Sequence, residues 1–289
     1  MDVSDTTAKP KDFMIPQDWA HYTPEEHEIW NILYNRLKDF LPGRACQEYI
    51  DCLDSLPIGK GIPDFRDLNA VIKPKTGWEV VAVPGLIPDK AFFEMLANRK
   101  FPAGNFIRKR EQLDYIEEPD VFHDVFGHVP LLTHPVFADY MEKYGRAGEK
   151  AMAHKTVNRL SRLYWFTVEF GLINTPEGMR IYGAGIVSSP SETHFSLNDP
   201  SPNRLEFDLK RVMRTQYRYD DFQETYFVID SFQDLFDATI PVDFAPIYEE
   251  IKTQPEYGLF DIAPTDKVLH RGTGDYARNS TREKKAKVK

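Results

Sequence analysis

The chain has 289 residues, a formal charge of −9, 42% apolar and 13% aromatic residues, and two cysteines. The apolar share excludes a disordered chain, the acidic balance excludes a broad phosphate-binding footprint, and no apolar run approaches the roughly 20 residues that a membrane span needs. Cys46 and Cys52, with an N-terminus that lacks an apolar signal core, lead us to expect a cytoplasmic protein that binds neither membrane nor nucleic acid.

In chain order, residues 1–18 read as a mobile arm. "YTPEEHEIWNILYNRLKDFLPG" then supplies Thr23 as N-cap, Pro24 at N1 and Glu26 at N3. An apolar stripe of Ile29, Trp30, Leu33, Leu37, Phe40 and Leu41 marks an amphipathic helix ending near Gly43. A second helix is predicted over 44–55 and a short one over "DFRDLNAVI". The β-branched run "GWEVVAVPGLI", 77–87, reads as a strand entering a turn at Pro84 and Gly85. A helix over 88–99 and an extended "NFIR", 105–108, follow.

Residues 119–172 read as mainly helical, and "MRIYGAGIVSS", 179–189, as a strand interrupted by Gly183 and Gly185. Helices and short strands continue to 264, and residues 265–289, which end in the basic run "REKKAKVK", are expected to be weakly structured. With no internal repeat and no linker-like break, the prediction is one domain over 19–264, mainly α with small β-sheets (α+β).

The chemistry concentrates in "EEPDVFHDVFGHVPLL", 117–132. On an α-helix, His123 and His128 would lie about 140° apart, too far round to share an ion. Gly127 can adopt a left-handed C′ conformation and Pro130 resists continuation, so the spacing predicts a helix that stops and lets His128 turn back beside His123. Glu169 in "LYWFTVEFGLI" has apolar neighbours all round, where a carboxylate needs a cation or a basic partner such as Arg162. Two histidines and a carboxylate suit Fe(II) and dioxygen chemistry, and a zinc hydrolase would use similar ligands. Asp120, three residues before His123, is placed either to orient its imidazole or to cap the helix. Read by themselves, the residues also admit a structural metal module, or an HD-type phosphohydrolase built on His123 and Asp124.

Three blocks, "EEPDVFHDVFGHVPLL", "LYWFTVEFGL" and "YGAGIVSS", resemble the pterin-dependent aromatic amino-acid hydroxylases in order and spacing, and the resemblance runs over roughly residues 15–260. It implies a single helix-rich catalytic domain, Fe(II), a tetrahydropterin co-substrate and O2. The preferred substrate it implies is L-phenylalanine, with tryptophan or tyrosine as alternatives. The likeness is to the short bacterial members, without the regulatory domain and tetramerisation helix of the animal enzymes, which implies a monomer.

By position, the resemblance makes His123, His128 and Glu169 the iron ligands. It assigns Val83, Gly85, Leu86 and Ile87 to backbone contacts with the pterin, Phe92 to stacking on the pterin ring, and Asp124 and Tyr164 to its neighbourhood. Arg108 matches the arginine that holds the substrate carboxylate, a task suited to a planar bidentate donor. Tyr115, Pro119, Trp165, Gly185 and Ser188 match further substrate contacts. Two departures stand out: Ile116-Glu117 replaces a Thr-Pro pair of the animal enzymes, and Asp124 replaces a glutamate, so that its pterin contact would run through water.

Overall fold

The computed structural model describes residues 9–114, 116 and 118–279, and they cluster in two compact units divided after Ala153. Tyr115 and Glu117 lie outside the described residues.

In the first unit, α1 (Pro24–Lys38) starts in a full capping box: the Thr23 hydroxyl accepts from the Glu26 N–H while the Glu26 side chain accepts from the Thr23 N–H. Its apolar stripe buries Ile29, Trp30, Leu33, Tyr34 and Leu37. Helix α2 (Gln47–Asp54) follows, and α3 (Phe65–Thr76) is capped by Asp64 and stopped by a left-handed Gly77.

Strand β1 (Glu79–Val83) pairs in parallel with β2 (Lys100–Gly104), and α4 (Asp89–Ala97) forms the crossover between them. The extended segment thus falls at 100–104, directly before the "NFIR" where it was predicted. Helix α5 (Pro135–Ala153) lies against α4, with Phe93 tilted over Tyr144 at 5.7 Å between ring centroids. The described part of the arm is not loose: the Ile15 N–H donates to the Ala82 carbonyl at 2.9 Å, and Gln17 Nε2 donates to the Pro63 carbonyl at 2.8 Å.

In the second unit, α6 (Val157–Tyr164) leads into a five-stranded sheet of order β4-β3-β6-β5-β7. Its strands are β3 (Leu172–Thr175), β4 (Gly178–Ile181), β5 (Asn203–Glu206), β6 (Thr225–Ile229) and β7 (Val268–His270). Helices α7 (Ala184–Val187), α8 (Pro190–Asn198), α9 (Leu209–Met213), α10 (Phe232–Thr239), α11 (Phe244–Ile251) and α12 (Asp275–Asn279) complete the unit.

Two expectations change here. The strand predicted over 179–189 ends at Ile181, and 184–187 turn into a short helix whose first carbonyl, Ala184 O, accepts the Ser188 hydroxyl. The tail from 265 is not weakly structured throughout: β7 covers the edge of β5, and the Tyr276 ring of α12 packs against Phe195 and Phe222. The fold is helix-rich with small sheets, as the periodicity predicts. No helix among the described residues is long and apolar enough to cross a membrane.

Candidate metal centre

The predicted stop at Gly127 does not occur. Residues His123–His128 form one π-helical turn, and Pro130 opens a 3-10 turn over Pro130–Thr133. A π-turn closes i→i+5, so residues five apart fall on successive turns, and the spacing that is one too long for an α-helix is matched to this wider one. Gly127 takes no left-handed φ. The two Nε2 atoms approach to 3.3 Å with the rings nearly perpendicular, at 85°. Two nitrogens at about 2.1 Å from one ion, subtending 90–110°, would be about 3.0–3.4 Å apart, so the pair has the separation of two ligands on a single metal.

Asp120 performs the capping role rather than orienting the imidazole. Its Oδ1 accepts the His123 backbone N–H at 3.0 Å, and its carboxylate takes a bidentate bond from the Arg108 guanidinium, 2.9 Å on each side, plus the Arg108 N–H at 2.8 Å. Asp120 is fully buried and Arg108 nearly so. Burial alone would push the Asp120 carboxyl up, but the Arg108 guanidinium and the two backbone N–H donors outweigh it and hold the group below the usual carboxylate range. Asp124, one turn on, accepts the Gly104 N–H through Oδ2 at 2.7 Å, tying the end of β2 to the π-turn.

Glu169 closes a second π-helical turn, Trp165–Glu169, in which the Phe170 N–H reaches back to Trp165 O at 2.8 Å. Arg162, the basic partner considered for Glu169, instead bonds Glu256 at 2.8 Å. The Glu169 backbone is approached closely by a glycine turn: a Cβ on Gly183 would lie 2.3 Å from Glu169 O and 2.5 Å from Gly171 N, both backbone atoms that cannot swing aside. A Cβ on Gly185 would meet the Phe170 ring at 2.8 Å and Glu169 O at 3.2 Å. The strand pattern by itself shows these glycines as breakers, yet a Gly-Ala-Gly run directly after a strand is a signal of close backbone approach.

His123, His128 and Glu169 each offer one ligand atom, and these atoms all lie within 4.8 Å of one another. Two imidazoles and one carboxylate, with no thiolate, fit Fe(II) and leave coordination positions for other ligands.

The other predicted residues take the following places. Val83 is the buried end of β1, Gly85 has φ +145°, a region closed to side chains with a Cβ, and Leu86 is 60% exposed. Ile87 and Phe92 are half-buried, and Phe92 meets Phe93 edge-on at 5.7 Å. Pro119 and Tyr164 are half-buried, while Ser188 is buried with its hydroxyl on Ala184 O. Trp165 is stacked on Tyr217, 4.2 Å between centroids and 16° between planes, and its Nε1–H donates to Gln223 Oε1 at 2.9 Å. Sequence reasoning missed Tyr217 and Gln223, and nothing local marks either one.

Comparison with known proteins agrees with this picture. The family described as biopterin-dependent aromatic amino acid hydroxylase matches residues 11–245. The phenylalanine-4-hydroxylase of Caulobacter vibrioides is 58% identical over 93% of this chain and 92% of its own, and that of Chromobacterium violaceum is 57% identical over 90% and 88%. The crystal structure of the Chromobacterium violaceum enzyme with iron and phenylalanine bound is similar at a TM-score of 0.86, covering 89% of this chain and 94% of that one, at 56% identity. With that sequence match spanning most of the residues, and a donor set suited to iron, the chain belongs to the biopterin-dependent aromatic amino acid hydroxylases.

Proposed function

We infer that the chain is an iron- and tetrahydropterin-dependent monooxygenase that converts L-phenylalanine to L-tyrosine with O2. The observation that carries the reading is the convergence of the His123, His128 and Glu169 ligand atoms, in a chain more than half identical to phenylalanine hydroxylases. Bound Fe(II) with a reduced pterin supplies the electrons that activate O2 for attack on the ring.

The chain's own residues hold and orient. His123 and His128 would offer imidazole nitrogens and Glu169 a carboxylate oxygen to hold the metal. Asp120 and Asp124 hold the backbone of the histidine turn by accepting N–H bonds, so the imidazoles start from a rigid base. Asp120 occupies two of the five guanidinium N–H donors of Arg108, and the remaining edge suits the substrate carboxylate. Trp165 and Pro119 would wall the substrate ring, with Tyr115, Gly185 and Ser188 as neighbours. Phe92 would stack on the pterin, and the backbone of Val83, Gly85, Leu86 and Ile87 would bond its edge, with Asp124 and Tyr164 nearby. Excluding water from this space protects the oxidant.

Residues 19–264 would make up the catalytic domain, acting as a cytoplasmic monomer independent of membranes and nucleic acid. The charge of −9 and the two free cysteines support that setting. The test is to offer iron-loaded protein tetrahydropterin, O2 and, in turn, phenylalanine, tyrosine and tryptophan, following product and pterin oxidation together. Hydroxylation of phenylalanine well above the other two is expected. A preference for tryptophan or tyrosine, or pterin oxidation with no hydroxylated product, would overturn the substrate assignment.

A further inference from the structure

Trp165 is held in two physically different ways. Tyr217 stacks on it at 4.2 Å, and Phe170 lies tilted at 4.7 Å, so aromatic contacts fix the plane of the indole. Stacking is nearly blind to which edge of the indole faces which way, because a half-turn about χ2 keeps the plane. A hydrogen bond is not blind, because the indole has one donor, Nε1–H. That donor meets Gln223 Oε1 at 2.9 Å.

The Gln223 amide is itself pinned. It is 2% exposed, and its Nε2 donates to the Arg218 carbonyl at 2.8 Å, with the Asp221 carbonyl at 3.4 Å. A flipped amide would set its oxygen against two carbonyls and its NH2 against the indole N–H, so only one orientation satisfies every partner. Three residues on from Gln223, the Tyr226 hydroxyl donates to the buried Glu192 carboxyl. The 218–224 loop is clasped from α12 by the Tyr276 hydroxyl on Asp221 Oδ1 at 2.8 Å.

We propose that Gln223 is a positioning residue: by accepting the indole N–H it selects one edge of Trp165 and so sets the shape of the aromatic wall that discriminates substrate rings. The proposal rests on the reading of Trp165 as that wall. Gln223 does not touch the metal ligands, so its effect falls on substrate fit and selectivity rather than on iron content.

The test uses iron-loaded full chain with tetrahydropterin, comparing Gln223→Leu, Gln223→Glu and Trp165→Phe. In Gln223→Leu the acceptor is gone. The preference for phenylalanine over tryptophan in kcat/KM should fall about tenfold, the scale of one lost buried hydrogen bond, mainly through KM and with iron content unchanged. Gln223→Met, close in volume and also without an acceptor, carries the same expectation should the Leu variant not fold.

Gln223→Glu in its protonated form keeps an oxygen towards the indole and an O–H towards the Arg218 carbonyl, and should restore selectivity to within about twofold. Trp165→Phe tests the underlying reading. If it changes selectivity while Gln223→Leu and Gln223→Met do not, Gln223 is structural filler and the proposal fails. If Trp165→Phe leaves selectivity unchanged, Trp165 is no wall and both readings fall together.

Discussion

Two π-helical turns supply the candidate metal donors, and they are held in different ways. His123–His128 carries a donor at each end and is fastened by carboxylates: Asp120 on the His123 N–H and Asp124 across to Gly104. Trp165–Glu169 carries one donor at its end and is fastened by shape, with Gly183 against the Glu169 carbonyl where a Cβ would be 2.3 Å away. The first turn is therefore vulnerable to loss of charge, and the second to addition of a methyl group. A π-turn is a poor choice on backbone grounds alone, so each needs its own device to persist.

The largest expected effect breaks the carboxylate side. Asp120→Ala would leave the Arg108 guanidinium buried without its partner, at a cost of about 3–5 kcal/mol in unfolding free energy. Denaturant titration checks this, and a loss under about 1 kcal/mol would show that the pair is not what holds the turn.

Next is a pH effect in the second unit. Burial raises the Glu192 carboxyl from its ordinary 4.5 to about 7. The folded chain therefore keeps a proton that the unfolded chain has released between those values, and stability should fall as pH rises from about 4.5 to 7, by up to about 3 kcal/mol. Glu192→Gln, which does not titrate, should show a flatter profile across that window. An identical slope in both proteins would mean that Glu192 is not the group responsible.

The smaller effect sharpens the shape side. Gly183→Ala must displace the Glu169 carbonyl, and we expect about 1–3 kcal/mol of destabilisation and roughly tenfold weaker iron binding. Unchanged iron affinity would detach the glycine turn from the placement of Glu169.

What the sequence made legible was chemistry carried by residue type and spacing. His123 and His128 five apart, with Glu169 in apolar surroundings, pointed to one donor set before any coordinates, and the capping box of α1 was read residue by residue. Less legible were features decided by packing. The choice of a π-turn over a helix stop at Gly127 depends on what Asp120 and Asp124 bond, and both partners, Arg108 and Gly104, lie more than ten residues upstream. The bidentate Arg108–Asp120 pair is equally hidden, because an arginine in the basic run "NFIRKR" looks like a surface base. In the tail, the three residues of β7 have too weak a period to be seen without the β5 edge they cover.

On the proposed function, the two turns jointly hold one iron. Iron stoichiometry after reconstitution with Fe(II), measured together with far-ultraviolet circular dichroism for the parent chain and for His123→Ala, His128→Ala and Glu169→Ala, decides this. The expected result is a single iron in the parent, none retained in any variant, loss of hydroxylation in all three, and an unchanged helical signal. A folded variant that keeps stoichiometric iron and full hydroxylation would show that these three side chains do not hold the metal.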